Sequence, residues 1–181
     1  NMCKEQKTGG REPARRAVDD FYAQQKPSGK YRGCRAYNDF RELLAKEKID
    51  AVMIATPDHT HAVIAMAVMR AGKHLYCQKP LAHSIHEVRT LTETARETGI
   101  QTQMGNQGHS SNEIRRLREW VQAGVLGQVR EVYAWSDRPV GGDPWSDFPI
   151  MARPKDTPPV PETLDWDLWL GPERERPYHP I

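Results

Sequence analysis

The stretch IDAVMIATP at residues 49–57 and the stretch HLYCQKP at residues 74–80 decide the fold. Each is a short apolar run that ends at a proline, which has no amide hydrogen to donate to a strand ladder. Residues 58–71, between the two runs, carry apolar side chains at helical spacing and are followed by a glycine. Two apolar runs joined by a helix predict neighbouring parallel strands.

The carboxyl ends of these two strands carry the first candidate site. In an open parallel sheet, ligands bind outside the carboxyl ends of the strands, and both Thr56-Pro57 and Gln78-Lys79-Pro80 fall there. Lys79 is our first candidate for catalysis, because Pro80 restrains the backbone beside it. The alternative is a solvated surface lysine next to a turn proline, which is the usual state of an isolated Lys-Pro pair.

The alternation of strand and helix continues on both sides of this pair. We predict helices at residues 12–24, 38–48, 84–98 and 110–123, and one more strand at residues 100–104. Asp58 is the predicted cap of the helix at residues 58–71. Short strands that alternate with helices predict an α/β fold with a doubly wound parallel sheet covered on both faces, here within residues 1–124.

A different pattern begins after residue 124. Residues 128–136 alternate apolar and polar side chains, which predicts a half-exposed antiparallel strand at the start of a second domain, residues 125–181. Prolines and glycines dominate residues 138–161, so we predict a long irregular loop. The stretch DWDLWL at residues 165–170 predicts a short helix in which Trp166 and Trp169 are packing residues.

Composition narrows the class of partner. The 181 residues include 26 Lys and Arg against 24 Asp and Glu, a net charge of +2, which is too balanced for a nucleic-acid or membrane surface as main partner. No apolar stretch approaches the roughly 20 residues of a membrane span. Three cysteines without paired spacing favour a reducing compartment. We therefore expect a cytoplasmic protein with a small-molecule ligand, unless an export signal preceded Asn1.

Three motifs in order resemble one family of enzymes. They are IDAVMIATPDHTH at residues 49–61, GKHLYCQKPL at residues 72–81 and QMGNQGH at residues 103–109. Together they resemble the Gfo/Idh/MocA oxidoreductases, the family of glucose-fructose oxidoreductase and inositol dehydrogenase. The resemblance implies a partial Rossmann-type domain followed by the start of an α/β domain with an open antiparallel sheet. It also implies hydride transfer between NAD or NADP and a sugar or polyol.

The resemblance also implies roles for individual residues. Lys79 would be the acid/base partner that hydrogen-bonds the substrate hydroxyl. The implied cofactor contacts lie at the strand ends: Thr56, Pro57, Asp58, His61, Gln78, Lys79, Asn106 and Gln107. The plainer interpretation of Asn106 and Gln107 is turn chemistry. His59 and His61 have an i and i+2 spacing that argues against a joint metal site, and we expect no metal.

Arg138 and Trp145 are candidates for substrate contact, because the family's architecture brings their loop to the mouth of the cleft. An arginine and an indole suit the hydroxyl groups and the apolar face of a sugar. A solvated arginine and a tryptophan that anchors the loop explain these residues equally well.

The sequence departs from the family pattern in three ways. Gln78 stands where a glutamate is usual, which removes a carboxylate beside Lys79. The second departure is that no Gly-x-Gly-x-x-Gly follows a first strand, and such glycines let the backbone approach the pyrophosphate. The third is that the family's second acid/base, a histidine of the C-terminal domain, would lie beyond Ile181. We therefore expect the segment alone to be inactive and the intact protein to be a homo-oligomer.

Two other functions compete with a dehydrogenase. Glycosidases that use NAD for transient oxidation share this scaffold, so the same cofactor and lysine position would serve them. A truncated domain that acts only as a binding module is the other alternative. Such a domain would expose unpaired sheet edges and associate with itself.

Overall fold

The computed structural model describes residues 11–25, 31–135 and 155–180. The chain divides between Lys48 and Ile49 into two compact units, and each is described by itself. Among the described residues, none of the helices has the length and apolar character that crossing a membrane requires.

Two helices lie in the described part of the first unit. Helix α1 spans Glu12–Gln25 and helix α2 spans Phe40–Lys46, which confirms the helices predicted at residues 12–24 and 38–48. The Asp19 carboxylate accepts hydrogen bonds of 2.7 Å from the Tyr31 hydroxyl and 2.7 Å from the backbone N–H of Cys34. These bonds hold the chain that follows α1 against the helix.

The second unit is built on a parallel sheet of three strands. They are β1, Ala51–Ile54; β2, His74–Gln78; and β3, Thr102–Gly105, in the order β1-β2-β3. In the register, Ile54 pairs with Cys77, and Gln78 pairs with Gly105. The predicted parallel strands are thus confirmed, and their carboxyl ends lie side by side.

Helices connect and flank these strands. They are α3, His61–Arg70; α4, Ile85–Thr98; α5, Asn112–Gln122; and α6, Trp166–Leu170. Short 3₁₀ turns at Asp58–Thr60 and Gln107–Ser110 follow β1 and β3. Helix α4 begins with a capping box between Ser84 and Glu87 and ends at Gly99, whose φ of 66° suits glycine.

The core of this unit lies on one face of the sheet. Helix α3 packs on β1 and β2 and against α4, and the buried apolar side chains of these four elements are Ile54, Ile64, Ala65, Val68, Met69, Leu75, Cys77 and Leu91. Successive side chains of a strand point to opposite faces, so Tyr76 lies opposite Leu75 and Cys77. On that opposite face Met53 is 67% exposed. The predicted α/β fold with a parallel sheet and flanking helices is confirmed, and in this unit α3 packs on the face of the sheet opposite to Met53.

Two local predictions were wrong. Residues 129–135 form no strand, and Trp135 is 88% exposed, because an alternating pattern becomes a strand only beside a hydrogen-bonding neighbour. Asp58 does not cap α3: its carboxylate accepts from the adjacent His59 N–H at 2.9 Å, and α3 begins at His61 after the 3₁₀ turn. The short helix near residue 166 is confirmed, with Asp165 as its cap.

Candidate functional site

Three strand ends form the candidate site. Because β1, β2 and β3 are parallel neighbours, the residues after each strand reach the same edge of the sheet. Thr56 and Pro57 follow β1, Lys79 follows Gln78 at the end of β2, and Asn106 and Gln107 follow β3. The structure thus brings the motif residues of three separate sequence stretches together.

A side-chain network joins β2 to the turn after β3. The Gln107 amide nitrogen lies 3.2 Å from both Gln78 Oε1 and the Tyr76 hydroxyl. The backbone N–H of Lys79 also donates to Gln78 Oε1, at 3.3 Å. Since a backbone N–H can only donate, the atom that it contacts is the oxygen of the Gln78 amide. Gln78 and Gln107 therefore hold each other at the edge of the sheet.

Gly105 makes room for this network. A β-carbon at this position would lie 1.9 Å from Gln78 Oε1 and 3.0 Å from the Tyr76 ring, far inside van der Waals contact. The sequence analysis missed Gly105 and Tyr76 as members of the site. The two-residue spacing places Tyr76 on the same face of β2 as Gln78, but only the strand register places Gly105 beside Gln78.

Lys79 is exposed at the centre of this edge. Within the described part of the chain its ammonium makes no hydrogen bond or ion pair. A cationic donor held at its backbone and without a partner at its tip can bond an oxygen of a ligand. A solvated surface lysine would have the same position and exposure, but its ammonium would contact water instead of a ligand.

His61 lies beneath the edge rather than on it. The ring is 1% exposed, with Nδ1 2.7 Å from the Pro80 carbonyl oxygen and Nε2 2.9 Å from the Thr56 carbonyl oxygen. Both nitrogens thus face the backbone of the two loops that carry the site. Direct hydrogen bonding between this ring and a ligand would require one of these contacts to open.

The loop after β1 is held by Thr60. Its hydroxyl oxygen lies 2.8 Å from the Thr56 hydroxyl and 2.7 Å from the Pro57 carbonyl oxygen. Thr56, Pro57 and Asp58 remain exposed, so their outer faces are accessible to a ligand. Asn106 is likewise exposed at the end of β3, where its backbone carbonyl accepts from His109 at 3.0 Å.

An aromatic cluster packs against the same loop from the far end of the chain. His59 Nε2 donates to the Trp169 carbonyl oxygen at 2.7 Å, and the two rings lie 5.1 Å apart. Trp169 stacks on Trp166 at 4.9 Å, and Trp166 meets the edge of Tyr178 at 5.2 Å. These contacts support the predicted packing role of the two tryptophans and fasten α6 beside β1.

The side chains at this edge supply hydrogen-bond donors and acceptors. Among the described residues, no cluster of three His, Cys, Asp or Glu side chains could hold a metal ion. Burial raises the pKa of the Cys77 thiol, so this cysteine stays neutral and is a core residue. Amides, hydroxyls and one ammonium suit the carboxamide and hydroxyl groups of a nicotinamide nucleotide. The substrate candidates Arg138 and Trp145 lie outside the described residues.

The chain is similar in sequence to a family of oxidoreductases and to individual proteins. Residues 11–106 match the family GFO_IDH_MocA, described as "Oxidoreductase family, NAD-binding Rossmann fold". A myo-inositol 2-dehydrogenase of Thermotoga maritima is 28% identical over 94 residues, which cover 52% of this chain and 28% of that protein. A glycosyl hydrolase family 109 protein of Shewanella sp. strain ANA-3 is 34% identical over 117 residues, covering 63% of this chain and 25% of that protein.

Solved structures show the same fold. The WlbA dehydrogenase of Bordetella pertussis, crystallised with NADH and UDP-GlcNAcA, superimposes with a TM-score of 0.50 at 20% identity, covering 60% of this chain and 31% of that one. This likeness concerns the fold alone. The matched segment of this chain spans between a quarter and a third of the length of the relatives named above.

Proposed function

Because the chain belongs to the Gfo/Idh/MocA oxidoreductase family, we propose that it carries the nicotinamide-side half of an NAD(P)-dependent active site. The proposed reaction is hydride transfer between the cofactor and a hydroxyl or carbonyl carbon of a sugar or polyol. The myo-inositol 2-dehydrogenase of Thermotoga maritima supports this class of substrate by its name. This activity is proposed for the whole protein that contains these residues.

One observation carries the proposal. The exposed Lys79 ammonium stands at the carboxyl edge of a three-stranded parallel sheet, beside a Gln78–Gln107 amide pair that fixes the chain around it. Ligands of such sheets bind outside this edge. A catalytic ammonium needs a defined position more than it needs a shifted charge state, because misplacement by about 1 Å can cost about 10²-fold in rate.

Lys79 would act on the substrate hydroxyl. Its side chain in the neutral amine form would accept the hydroxyl proton as the carbon loses hydride to the nicotinamide, and the ammonium so formed would hydrogen-bond the new carbonyl oxygen. In the reverse direction the same ammonium would polarise a carbonyl oxygen and supply its proton. Gln78, in place of a carboxylate, leaves Lys79 without an anionic neighbour on its own strand.

The remaining strand-end residues would bind the cofactor. The nicotinamide supplies hydride acceptance and donation when it is bound. Thr56, Pro57, Asp58, Asn106 and Gln107 offer exposed hydroxyl, carbonyl, carboxylate and amide groups to it, while His61 would act from below through the backbone. The proposed cofactor is NAD or NADP. Titration of the protein with NADH and with NADPH, followed by nicotinamide fluorescence, distinguishes the two cofactors.

Substitution of Lys79 tests the proposal. In the intact protein, Lys79→Met should lower the rate of sugar or polyol oxidation about 10²–10⁴-fold, which is the usual contribution of a general acid/base. Lys73→Met is the matched control, because Lys73 precedes β2 at the opposite end of that strand. Equal rates for Lys79→Met and the parent, measured by NADH absorbance, would exclude Lys79 from catalysis.

A glycosidase is the second candidate function. It is supported by the name of the glycosyl hydrolase family 109 protein, which aligns with this chain over 117 residues. A glycosidase that oxidises and re-reduces its substrate regenerates its cofactor, whereas a dehydrogenase accumulates NADH. Incubation with catalytic NAD and aryl glycosides, compared with stoichiometric NAD and free polyols, therefore separates the two functions.

The remaining proposals concern the rest of the protein. Residues 1–124 would belong to the dinucleotide-binding domain, and residues 125–181 would begin the domain that binds substrate and forms a homo-oligomer. Arg138 and Trp145 would contact the substrate from that second domain. We further propose that the protein acts in the cytoplasm.

A further inference from the structure

His61 occupies a buried position between the two loops that carry the site. Its ring is 1% exposed, although it belongs to the first turn of α3 and histidine is more often partly exposed. One nitrogen faces the loop after β1 at Thr56, and the other faces the loop after β2 at Pro80. The side chain therefore bridges two strand ends.

Both partners of the ring are hydrogen-bond acceptors. Backbone carbonyl oxygens accept and never donate, so each bond requires a proton on the ring nitrogen. A neutral imidazole carries one N–H and an imidazolium carries two, so the ring bonds at least one loop in either form and both loops when charged. An apolar side chain of equal volume would leave both carbonyl groups without this hydrogen-bond partner.

We propose that His61 is a positioning residue for Lys79. The bond from Nδ1 to the Pro80 carbonyl oxygen fixes the Pro80–Leu81 peptide, one residue after Lys79. The bond from Nε2 to the Thr56 carbonyl oxygen fixes the same ring to the loop after β1. The His61 ring therefore sets the distance between the loop of Thr56-Pro57 and the loop of Lys79-Pro80. Only the statement that Lys79 is catalytic rests on the proposed function; the bridge itself does not.

His59 provides an internal contrast. It lies two residues before His61 and also donates to a backbone carbonyl, but its partner is Trp169 in α6. It therefore fastens the aromatic cluster rather than the loop of Lys79. Identical substitutions at His59 and His61 then separate a general effect of losing a histidine from a specific effect on Lys79.

Amide substitutions test the two ends of the bridge separately. The amide nitrogen of asparagine occupies about the position of histidine Nδ1, and that of glutamine occupies about the position of Nε2. His61→Asn retains a donor to Pro80, His61→Gln retains a donor to Thr56, and His61→Leu retains neither. The probe is the ¹³C NMR signal of Lys79 after reductive ¹³C-methylation of the chain's lysines, assigned with Lys79→Arg and measured without cofactor.

The expected result is graded. The Lys79 signal of His61→Asn should stay close to that of the parent, whereas His61→Gln and His61→Leu should shift it by more than its line width. His59→Asn and His59→Gln should leave it in place. Thermal unfolding of each variant identifies those that remain folded, and the comparison of Asn with Gln decides even if His61→Leu unfolds.

Two outcomes would overturn the proposal. One is a Lys79 signal that is unchanged in folded His61→Gln, which would mean that the ring does not position Lys79. The other is an equal shift in His61→Asn and His61→Gln, which would mean that the bond to Pro80 has no special part. Failure of the proposed function is recognised independently, as absence of nicotinamide binding by the parent protein.

Discussion

Helices α3 and α5 both carry an apolar stripe and differ in what covers it. In α3, Ile64 and Val68 are buried against the sheet and α4, and Val68 is 0% exposed. In α5, Ile114, Leu117 and Val121 form a comparable apolar stripe, yet Val121 is 47% exposed and none of the described side chains of α5 is buried. Periodicity therefore predicts that a helix forms and which face is apolar, whereas burial depends on a partner elsewhere in the chain.

The largest expected effect comes from replacing one valine by aspartate in each helix and comparing the losses in the free energy of unfolding. Val68→Asp places a carboxylate in a fully buried position, so it should destabilise the folded state by about 3–5 kcal/mol, because the charge would have no partner. Val121→Asp should cost less than about 1 kcal/mol, since the new carboxylate stays in water. Urea unfolding followed by circular dichroism measures both values. Similar losses for the two variants would mean that α5 is buried in solution.

A pair of glycines extends the comparison to the edge of the sheet. Gly105→Ala should displace the Gln78 amide, because its β-carbon would lie 1.9 Å from Gln78 Oε1, at a cost of about 1–3 kcal/mol. Gly108→Ala, three residues later, meets no atom within 4 Å and should be neutral or stabilise by up to about 1 kcal/mol.

Chemical denaturation measures the stability of each glycine variant. Side-chain amide NMR signals of Gln78 and Gln107 report whether the network has opened. Retained amide signals in Gly105→Ala, together with parental stability, would show that the contact between Gly105 and Gln78 is not tight in solution.

The smallest expected change in stability concerns α1, where the Asp19 carboxylate makes polar contacts with the chain that follows the helix. The Tyr31 hydroxyl first, and the backbone N–H of Cys34 second, lower the pKa of Asp19 from its usual value, and Asp19 in turn raises the pKa of Tyr31 to about 12. A lowered carboxyl pKa stabilises the fold at pH values above its ordinary value, and this contribution disappears as pH falls through the lowered value. Asp19→Asn should therefore flatten the loss of thermal stability on acidification.

Asp20→Asn is the control for this prediction, because the Asp20 carboxylate makes no hydrogen bond among the described residues. Melting temperatures between about pH 2 and pH 5 test the carboxylate. Spectrophotometric titration tests the phenol, since Tyr31→Phe should remove the tyrosine that ionises near pH 12. An Asp19→Asn curve that parallels the parent would contradict the assigned hydrogen bonds.

The success and failure of the sequence predictions follow from the range of the interactions. Strands β1 and β2 and helix α4 lie within about two residues of their predicted bounds, because periodicity, capping and glycine stops are local. The strand predicted at residues 128–136 failed because a strand requires a neighbour. The Asp58 cap failed because a 3₁₀ turn delays the start of α3 until His61.

The candidate site divides in the same way. The sequence alone determined that Thr56, Gln78, Lys79, Asn106 and Gln107 lie at the carboxyl ends of three parallel strands, and hence that they meet at one edge, because parallel topology aligns carboxyl ends whatever the side chains are. Only the tertiary structure decided that Gly105 admits the Gln78 amide, that Tyr76 joins its network, and that the His61 ring turns inward to two carbonyl groups. Contacts of this kind depend on side-chain directions and on register between distant segments, to within fractions of an ångström, and no local pattern encodes them.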